Sequence, residues 1–335
     1  MSAEGSGHPG VFPEIRIVAV SGGMCQSTIR QLRGELRQFL WSDALTGKKK
    51  QISTKEHPSQ QFQAPDAILQ GVPLKDLMGR DLIQLIAESF ADIAPKFNRQ
   101  SFEQTAMDGL EALELSQRAR QIGLALAEQL PQSFSEACPL LLASFGPELT
   151  RTEGNGLAPF FYLPHSHVIM ERGLADFENG MRANYELTKR FSAEFSIRPF
   201  LTKYPDESLK LLKSWTEDPN AHVRRLVSEG TRPRLPWAGR LREFQQNPQR
   251  MLPLLELLKD DPELYVRRSV ANHLADILKD HPDVIYEICE QWLNEITKKS
   301  APPETAKTRK WMIRHAVRLP AKKGDARALE IRKKA

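Results

Sequence analysis

From residue 73 onward, the hydrophobic positions recur with the period of an α-helix. Between residues 81 and 94 the apolar side chains fall three or four residues apart, at Leu82, Leu85, Ile86, Phe90 and Ile93. Similar stripes run through residues 101–113, 116–130, 133–145 and 167–179. Ser101 and Ser133 stand where a helix N-cap is expected. Because no stretch alternates for long with the two-residue period of a strand, the pattern predicts an all-α protein.

The second half of the chain contains a repeat with an offset of 43 residues. DPNAHVRRLVSEG at 218–230 aligns with DPELYVRRSVANH at 261–273, and another amphipathic segment precedes each copy. A weaker copy, TRKWMIRHAV, lies at 308–317, and an earlier one, LTKRFSAEFSIRPFL, lies at 187–201. Helix pairs that repeat every 40–47 residues or so are typical of HEAT and armadillo proteins. We therefore predict a right-handed solenoid of such repeats, with inner helices that begin at Asp-Pro.

Residues 1–71 differ in composition from the rest of the chain. They contain a Lys-Lys-Lys run at 48–50, followed by a polar stretch. This composition favours a disordered leader, and a second interpretation places the true start of translation near Val72 or Met78. We expect the solenoid to span 72–335, with an acidic part at 72–180, basic repeats at 181–320 and a basic tail at 321–335.

Charge is distributed unevenly along the chain. Residues 72–180 hold 8 Lys and Arg against 15 Asp and Glu, whereas residues 181–335 hold 31 against 21. A basic half indicates a polyanionic partner, so we predict nucleic-acid binding. The sequence has no apolar run of membrane-spanning length and no signal-peptide pattern, and its three cysteines lie far apart. These features predict a cytoplasmic protein without a membrane partner.

The predicted inner helices carry arginines and acids at helical spacing. The three sets are Arg190, Glu194 and Arg198, then Arg225, Glu229 and Arg232, then Arg268, Asn272 and Asp276. Because residues four apart share a helix face, each helix is expected to present these side chains away from its apolar core side. Stacked repeats would then bring the polar stripes together on a basic concave surface.

Arginines suit DNA phosphates because the guanidinium group can bind two oxygens at once. The predicted DNA contacts are Arg190, Arg198, Arg224, Arg225, Arg234, Arg267, Arg268, Asn272 and Arg314. In each VRR pair, one arginine could instead bridge neighbouring repeats. Carboxylates repel phosphates, so Glu194, Glu229 and Asp276 need another role. Salt bridging between repeats is one interpretation, and stabilisation of a cationic base and of a developing sugar cation is the other.

Trp237 closes the segment SEGTRPRLPW, directly after the inner helix that carries Glu229. An indole face beside a cationic base gains cation–π attraction of about 0.5–2 kcal/mol. A ring that fills a gap between repeats is the alternative, and Trp215 and Trp292 are expected in the core. The sequence has no CxxC, HxxxH or HExxH spacing and no phosphate loop, so we predict neither a metal nor a cofactor.

Three long motifs resemble the AlkC DNA alkylation-repair glycosylases, HEAT-like proteins related to AlkD. They are AEFSIRPFL at 193–201, VRRLVSEGTRPRLPWAGRL at 223–241 and DDPELYVRRSVANHLADILKDHP at 260–282, and the resemblance covers about 73–320. It implies a monofunctional, metal-independent glycosylase that removes N3-methyladenine and N3-methylcytosine from double-stranded DNA without full base flipping. The family's active-site residues correspond to Glu194, Glu229, Arg232, Trp237 and Asp276.

Two departures from the family pattern are present. Residues 1–71 have no counterpart, and some relatives continue into an immunoglobulin-like β-domain that helps to grip DNA, whereas this chain stops at residue 335. We expect a monomer that needs no protein partner. The alternative function is a non-catalytic HEAT-repeat module that binds DNA or an acidic protein, and release of a methylated base distinguishes the two.

Overall fold

The computed structural model describes residues 56–298 and 302–335. The chain divides into two units, Met1–Thr54 and Lys55–Ala335. The first unit, and with it the prediction of a leader over residues 1–55, lies outside the described residues. The described residues form helices joined by turns, with no strand among them, which confirms the predicted all-α class. None of these helices combines the length and the apolar character needed to cross a membrane.

The helices fall into an N-terminal group and a C-terminal group of repeats. The first group contains α1 (Pro58–Gln61), α2 (Arg80–Phe90), α3 (Arg99–Met107), α4 (Leu115–Glu128), α5 (Phe134–Ala143), α6 (Leu163–Arg172) and α7 (Phe177–Thr188). The second contains α8 (Arg198–Lys203), α9 (Pro205–Trp215), α10 (Ala221–Gly230), α11 (Arg242–Gln246), α12 (Leu252–Leu258), α13 (Leu264–Ile277), α14 (Pro282–Lys298), α15 (Pro303–Ala316), α16 (Arg318–Lys322) and α17 (Ala326–Lys334).

Residues 56–71 belong to the helical unit, so the predicted boundary at residue 71 is wrong. Phe62 is buried, and its ring lies 6.0 Å from the ring of Phe161. The backbone N–H of Leu157 donates to the carbonyl oxygen of Pro65 at 2.9 Å. A single aromatic anchor in a polar stretch gives no periodic signal, which is why composition alone concealed this segment.

Two predicted helix boundaries also change. The stripe at 167–179 is split between α6 and α7 by a tight 3₁₀ turn at Gly173–Ala175, and Asp176 caps α7 by accepting from the backbone N–H of Asn179. Helix α3 is capped by Asn98, whose side chain accepts from the backbone N–H of Ser101, so Ser101 lies inside the helix. Ser133 does hold the N-cap position of α5, but its side chain bonds to the hydroxyl of Ser135 rather than to a backbone N–H of that helix.

The predicted repeats are confirmed as three helix pairs, α9 with α10, α12 with α13, and α14 with α15. The second members pack against one another in the order α10, α13, α15, and we call them the inner helices. The apolar side chains predicted for their core faces are buried, among them Leu226 and Val227 on α10 and Val266 and Val270 on α13. The 43-residue offset in sequence is therefore one step of the stack.

The Asp-Pro pairs do not begin the inner helices as predicted. Helix α10 begins at Ala221 and α13 at Leu264, three residues after each aspartate. Each aspartate instead caps the turn before its helix, because Asp218 Oδ1 accepts from the Asn220 N–H at 2.8 Å and Asp261 Oδ1 accepts from the Glu263 N–H at 2.9 Å. Local side-chain bonds of this kind compete with helix capping.

Two further predictions change at the ends of the repeat region. The earliest copy at 187–201 is not one helix, because α7 ends at Thr188 and α8 restarts at Arg198. Pro199 lacks a backbone N–H and fits only the first turn of a helix, so the chain breaks before it. The predicted basic tail folds as α16 and α17, with Ala328 and Ile331 buried.

Candidate active site

The three acids identified from the sequence lie in one line of alternating charges. Arg225 Nη1 is 2.9 Å from Glu194 Oε2, and its Nη2 is 3.6 Å from Glu229 Oε1. Arg232 continues the line, with Nη1 2.6 Å from Glu229 Oε1 and Nε 2.8 Å from Asp276 Oδ2. We call these five residues the charge ladder. Each arginine in it bridges Glu229, which is close in sequence, and a second carboxylate from another part of the chain.

Three successive parts of the stack supply the ladder. Helix α10 carries Arg225 and Glu229, and the turn that follows it carries Arg232. Helix α13 carries Asp276 in its last turn. Glu194 lies in the turn between α7 and α8, so the prediction that Arg190, Glu194 and Arg198 share one helix face is wrong.

Glu229 and Asp276 are buried and Glu194 is partly buried, contrary to the prediction that the polar stripes face away from the core. The side chains of Glu194, Glu229 and Asp276 are 16%, 8% and 4% exposed. Neighbouring hydroxyl groups complete their bonding, since Ser192 Oγ donates to Glu194 at 2.8 Å and Ser269 Oγ donates to Glu229 at 2.6 Å. Salt bridging between repeats, one of the two interpretations of these acids, is therefore present in the structure.

Glu229 and Arg232 keep their charges despite burial. Burial by itself raises the pKa of Glu229, but Arg225 and Arg232 outweigh it and hold that pKa below its usual value. The pKa of Arg232 lies above its usual value, because Glu229 and Asp276 raise it by more than burial lowers it. Opposite charges at hydrogen-bond distance favour the ionised forms of both partners.

Trp237 lies on the surface rather than in a gap between repeats. Its side chain is 74% exposed and its backbone φ is 63°, in the left-handed region that residues other than glycine rarely occupy. The loop that presents it is fixed by Arg198, whose Nη1 donates to the carbonyl oxygens of Gly230 and Arg232 and whose Nη2 donates to that of Gly239. The gap-filling interpretation of Trp237 is therefore wrong.

A cavity of about 800 Å³ lies beside this loop, and Trp237 and Arg198 are among its lining residues. Most of the other lining side chains are apolar, including Phe160, Phe191 and Phe195. Burial lowers the pKa of Arg198 to about 10, so its guanidinium group stays charged at neutral pH. Arg198 therefore both lines the cavity and holds the loop in place with a buried, charged side chain.

Comparison with known proteins identifies the family. No family model matches the chain. The chain is 34% identical over 259 residues to the protein YhaZ of Bacillus subtilis (strain 168), covering 77% of this chain and 67% of that protein. It also matches the structure of the alkylpurine DNA glycosylase AlkC of Pseudomonas fluorescens bound to DNA containing an abasic-site analogue, with 35% identity and a TM-score of 0.67. That match covers 78% of this chain and 67% of that one.

The chain belongs to the AlkC family. As an AlkC-family protein it keeps Glu194, Glu229, Arg232, Trp237 and Asp276, the residues that the resemblance marked. Four of them belong to the charge ladder in the structure. The fifth, Trp237, lies on the loop that follows Arg232. Their catalytic role stays a prediction.

Most of the arginines predicted to bind DNA in this AlkC-family chain are engaged within the protein. The internal acceptors are Gly146 and Glu186 for Arg190, Asp261 and Asp218 for Arg224, Asp280 for Arg234, Asp261 and Pro262 for Arg267, and Ala335 for Arg314. Together with Arg198 and Arg225, these side chains favour a structural role over phosphate binding. The salt bridge from Arg224 to Asp261 joins neighbouring repeats, which is the alternative role predicted for one arginine of each VRR pair.

Arg268 differs from the other arginines of the two VRR pairs. Its side chain is 49% exposed, and the nearest carboxylate oxygen, from Glu153, is 3.8 Å away. Asn272, one helical turn further, accepts from Arg318 and is bonded to His315. Phosphate binding by Arg268 stays a prediction, while Asn272 acts here as an acceptor that orients other side chains.

Sequence reasoning missed several residues of this region. Lys279 Nζ is 2.9 Å from Asp276 Oδ1 and ends the ladder, and the ring of Tyr265 lies 4.8 Å from the guanidinium carbon of Arg225. His315 and Arg318 were not singled out either. The 43-residue offset could have found both, since position 315 lies two steps after Glu229 and position 318 two steps after Arg232.

Proposed function

We propose that this chain is a DNA glycosylase that hydrolyses the N-glycosidic bond of cationic alkylated bases in double-stranded DNA. The observation that carries the proposal is the set of three carboxylates, two buried and one partly buried, beside a loop that exposes Trp237. A phosphate-binding groove gains nothing from these carboxylates, whereas an electrostatic site for cations uses them to stabilise positive charge as it develops. The Pseudomonas fluorescens relative, an alkylpurine DNA glycosylase, supports the same class of reaction.

The proposed substrates are N3-methyladenine and N3-methylcytosine. A methyl group on that ring nitrogen gives the base a positive charge, which a neutral base lacks. Carboxylates of the charge ladder attract such a base, and the exposed indole of Trp237 provides a face for cation–π contact. DNA is the proposed partner, and we expect a monomer that acts in the bacterial cytosol, where chromosomal DNA lies.

In the proposed reaction, the bond between the sugar C1′ and the base nitrogen breaks and its electron pair leaves with the base. The base becomes neutral on leaving, so no protein acid has to protonate it. Positive charge then develops on the sugar, and nearby carboxylates stabilise it as it forms. Water adds to C1′, and its proton passes to a carboxylate and on to solvent.

Among the three acids, Glu194 is the most accessible to substrate and water. Its side chain is 16% exposed, compared with 8% for Glu229 and 4% for Asp276. We assign the contact with the sugar and the attacking water to Glu194 for this reason. Glu229 and Asp276 would act from further inside the ladder, through Arg225 and Arg232 and by their own negative charge.

A base-release assay tests the proposal. The protein is incubated with a methylated DNA duplex, the released bases are separated by chromatography, and binding to an unmethylated duplex is measured in parallel. We expect release of both N3-methylated bases, with release lost in Glu194→Gln and kept in Glu290→Gln, a surface acid paired with Arg327. Binding without base release would contradict the proposal and support the non-catalytic binding module.

A further inference from the structure

The repeat carries the ladder positions into the last helix pair, where their chemistry changes. The last repeat lies two steps of 43 residues after the repeat of α10. Its residues at the positions of Arg225, Glu229 and Arg232 are, in that order, Trp311, His315 and Arg318. The position of Glu229 becomes Asn272 in the middle repeat and His315 in the last one. The acidic position of the ladder is thus lost along the stack, while a basic residue returns at position 318.

Asn272 ties this last repeat together. Its Oδ1 accepts from Arg318 Nη2 at 3.2 Å and lies 3.2 Å from His315 Nε2. Arg318 Nη1 also donates to the backbone carbonyl oxygen of His315 at 2.6 Å. The rings of Trp311 and His315 are stacked, with centroids 5.1 Å apart and an angle of 21° between the planes. Arg318 is therefore held in place by neutral acceptors.

The guanidinium group of Arg318 has no carboxylate at salt-bridge distance among the described residues. Arg268 has only the 3.8 Å contact with Glu153. Burial lowers the pKa of Arg318 and Arg232 lowers it further, with Asp276 acting in the opposite direction. Burial also lowers the pKa of His315 to about 4, and Arg318 and Arg268 add to that effect. An anion bound here would relieve this repulsion.

We propose that Arg318 and Arg268 form a seat for one phosphodiester group of the DNA backbone, with Asn272 orienting Arg318. The proposal rests on the proposed function, which supplies DNA as the partner. A guanidinium group suits a phosphate because it presents two donors to two oxygens. Asn272, which accepts from Arg318, lies one helical turn before Asp276 on α13, so the seat adjoins the charge ladder and would fix the DNA strand beside it.

The salt dependence of DNA binding tests the seat. We compare wild type, Arg318→Gln, Arg318→Lys and Arg332→Gln on a duplex that carries an abasic-site analogue, over a range of NaCl concentrations. Arg332 is an exposed arginine of α17, so its replacement removes the same charge at a different place. The slope of log K against log salt is expected to become shallower by about 0.9 in Arg318→Gln and to stay unchanged in Arg318→Lys and Arg332→Gln.

An unchanged slope in Arg318→Gln, at a wild-type melting temperature, would overturn the seat. If Arg318→Gln does not fold, Arg268→Gln replaces it, because that side chain is half exposed. An unchanged slope in Arg268→Gln then overturns the proposal in the same way. Base release measured on the same preparations separates the two proposals. Unchanged slopes with base release reject the seat alone, whereas shallower slopes without base release in wild type reject the glycosylase.

Discussion

Arg198 donates through Nη2 to the backbone carbonyl oxygen of Gly239, 2.5 Å away, and so connects the first turn of α8 to the loop that carries Trp237. The same guanidinium group donates to the carbonyl oxygens of Gly230 and Arg232. One buried side chain therefore sets the path of the loop at three points. Arg198 acts as a positioning residue for Trp237 and for the backbone of Arg232.

Replacement of Arg198 by methionine removes these three bonds and leaves the loop carbonyls without their donor. We expect the free energy of unfolding to fall by about 1–3 kcal/mol. Combined misplacement of Trp237 and of the Arg232 backbone is expected to slow base release roughly 100-fold in single-turnover assays, with little change in affinity for undamaged DNA. Weaker DNA binding with an unchanged single-turnover rate would instead return Arg198 to the phosphate contacts.

Glu229→Gln and Asp276→Asn are expected to separate catalysis from affinity. Loss of one electrostatic contact to the developing cation costs about 2–4 kcal/mol of transition-state stabilisation, which slows base release by roughly 30- to 1,000-fold. Affinity for undamaged DNA is expected to hold or to rise, because a charge that repels phosphate is gone. Both variants leave Arg232 with one carboxylate instead of two, so thermal melting is measured alongside. Wild-type rates in both would make these acids purely structural.

Trp237→Gly and Trp237→Ala separate the ring from the backbone strain. Both remove the indole and are expected to slow base release of a cationic base equally, by the equivalent of about 0.5–2 kcal/mol. At φ 63° glycine is unstrained and alanine is not, so the glycine variant should be the more stable of the two by about 1 kcal/mol. Chemical unfolding and single-turnover rates give both quantities. Equal stability of the two variants would mean that the loop relaxes once the indole is gone.

His165 makes folding stability depend on pH. It is buried among aromatic rings, which are those of Phe90, Phe145, Phe161 and Tyr162. Burial lowers its pKa from 6.5 to about 3, and His57 adds to that effect. The unfolded chain therefore takes up the proton first as the pH falls, and stability is lost progressively from about pH 6.5 down to about pH 3.

Between pH 6.5 and pH 5, His165 is expected to cost the folded state about 2 kcal/mol. The variant His165→Phe keeps an aromatic ring in the same apolar surroundings and removes the titrating group. Urea unfolding at several pH values should give a flatter dependence for this variant than for wild type. Parallel curves for the two proteins would show that other groups, such as His57 or His273, govern acid unfolding.

The N-terminal boundary can be tested by truncation. A chain that begins at Val72 lacks Phe62, whose ring contacts Phe161, and the bond between Pro65 and Leu157. We expect it to be less stable than a chain that begins at Lys55 by about 3–5 kcal/mol, the usual cost of losing a buried aromatic side chain. Thermal melting of the two chains decides the point. Equal melting temperatures would restore the boundary at residue 71.

Helical periodicity predicted the fold because each inner helix is specified by its own local pattern. Leu226 and Val266 are buried as their spacing requires, and the 43-residue offset predicted which helices pack together. The same periodicity misplaced the polar stripe. It treats any residue off the apolar face as exposed, yet Glu229 and Asp276 are buried where neighbouring repeats meet, since Glu229 accepts from Ser269 and Asp276 accepts from Arg232.

Pairing within the site could not be predicted, because partners are chosen by three-dimensional proximity. Arg232 bonds to Asp276, 44 residues away, and Arg224 bonds to Asp261, 37 residues away. No local pattern separates these arginines from Arg268, which remains half exposed. Trp237 likewise adopts a left-handed backbone conformation, with φ 63°, which the composition of its segment does not reveal.

In the charge ladder, every carboxylate already has an arginine beside it. A base that displaces Arg225 or Arg232 must bring a positive charge of its own. Otherwise a buried carboxylate is left without a counter-ion, at a cost of about 3–5 kcal/mol. Ordinary adenine and cytosine are neutral and cannot make this exchange. Under the proposed function, discrimination against undamaged DNA would then follow from ion exchange, because a neutral base cannot take the place of an arginine beside these carboxylates.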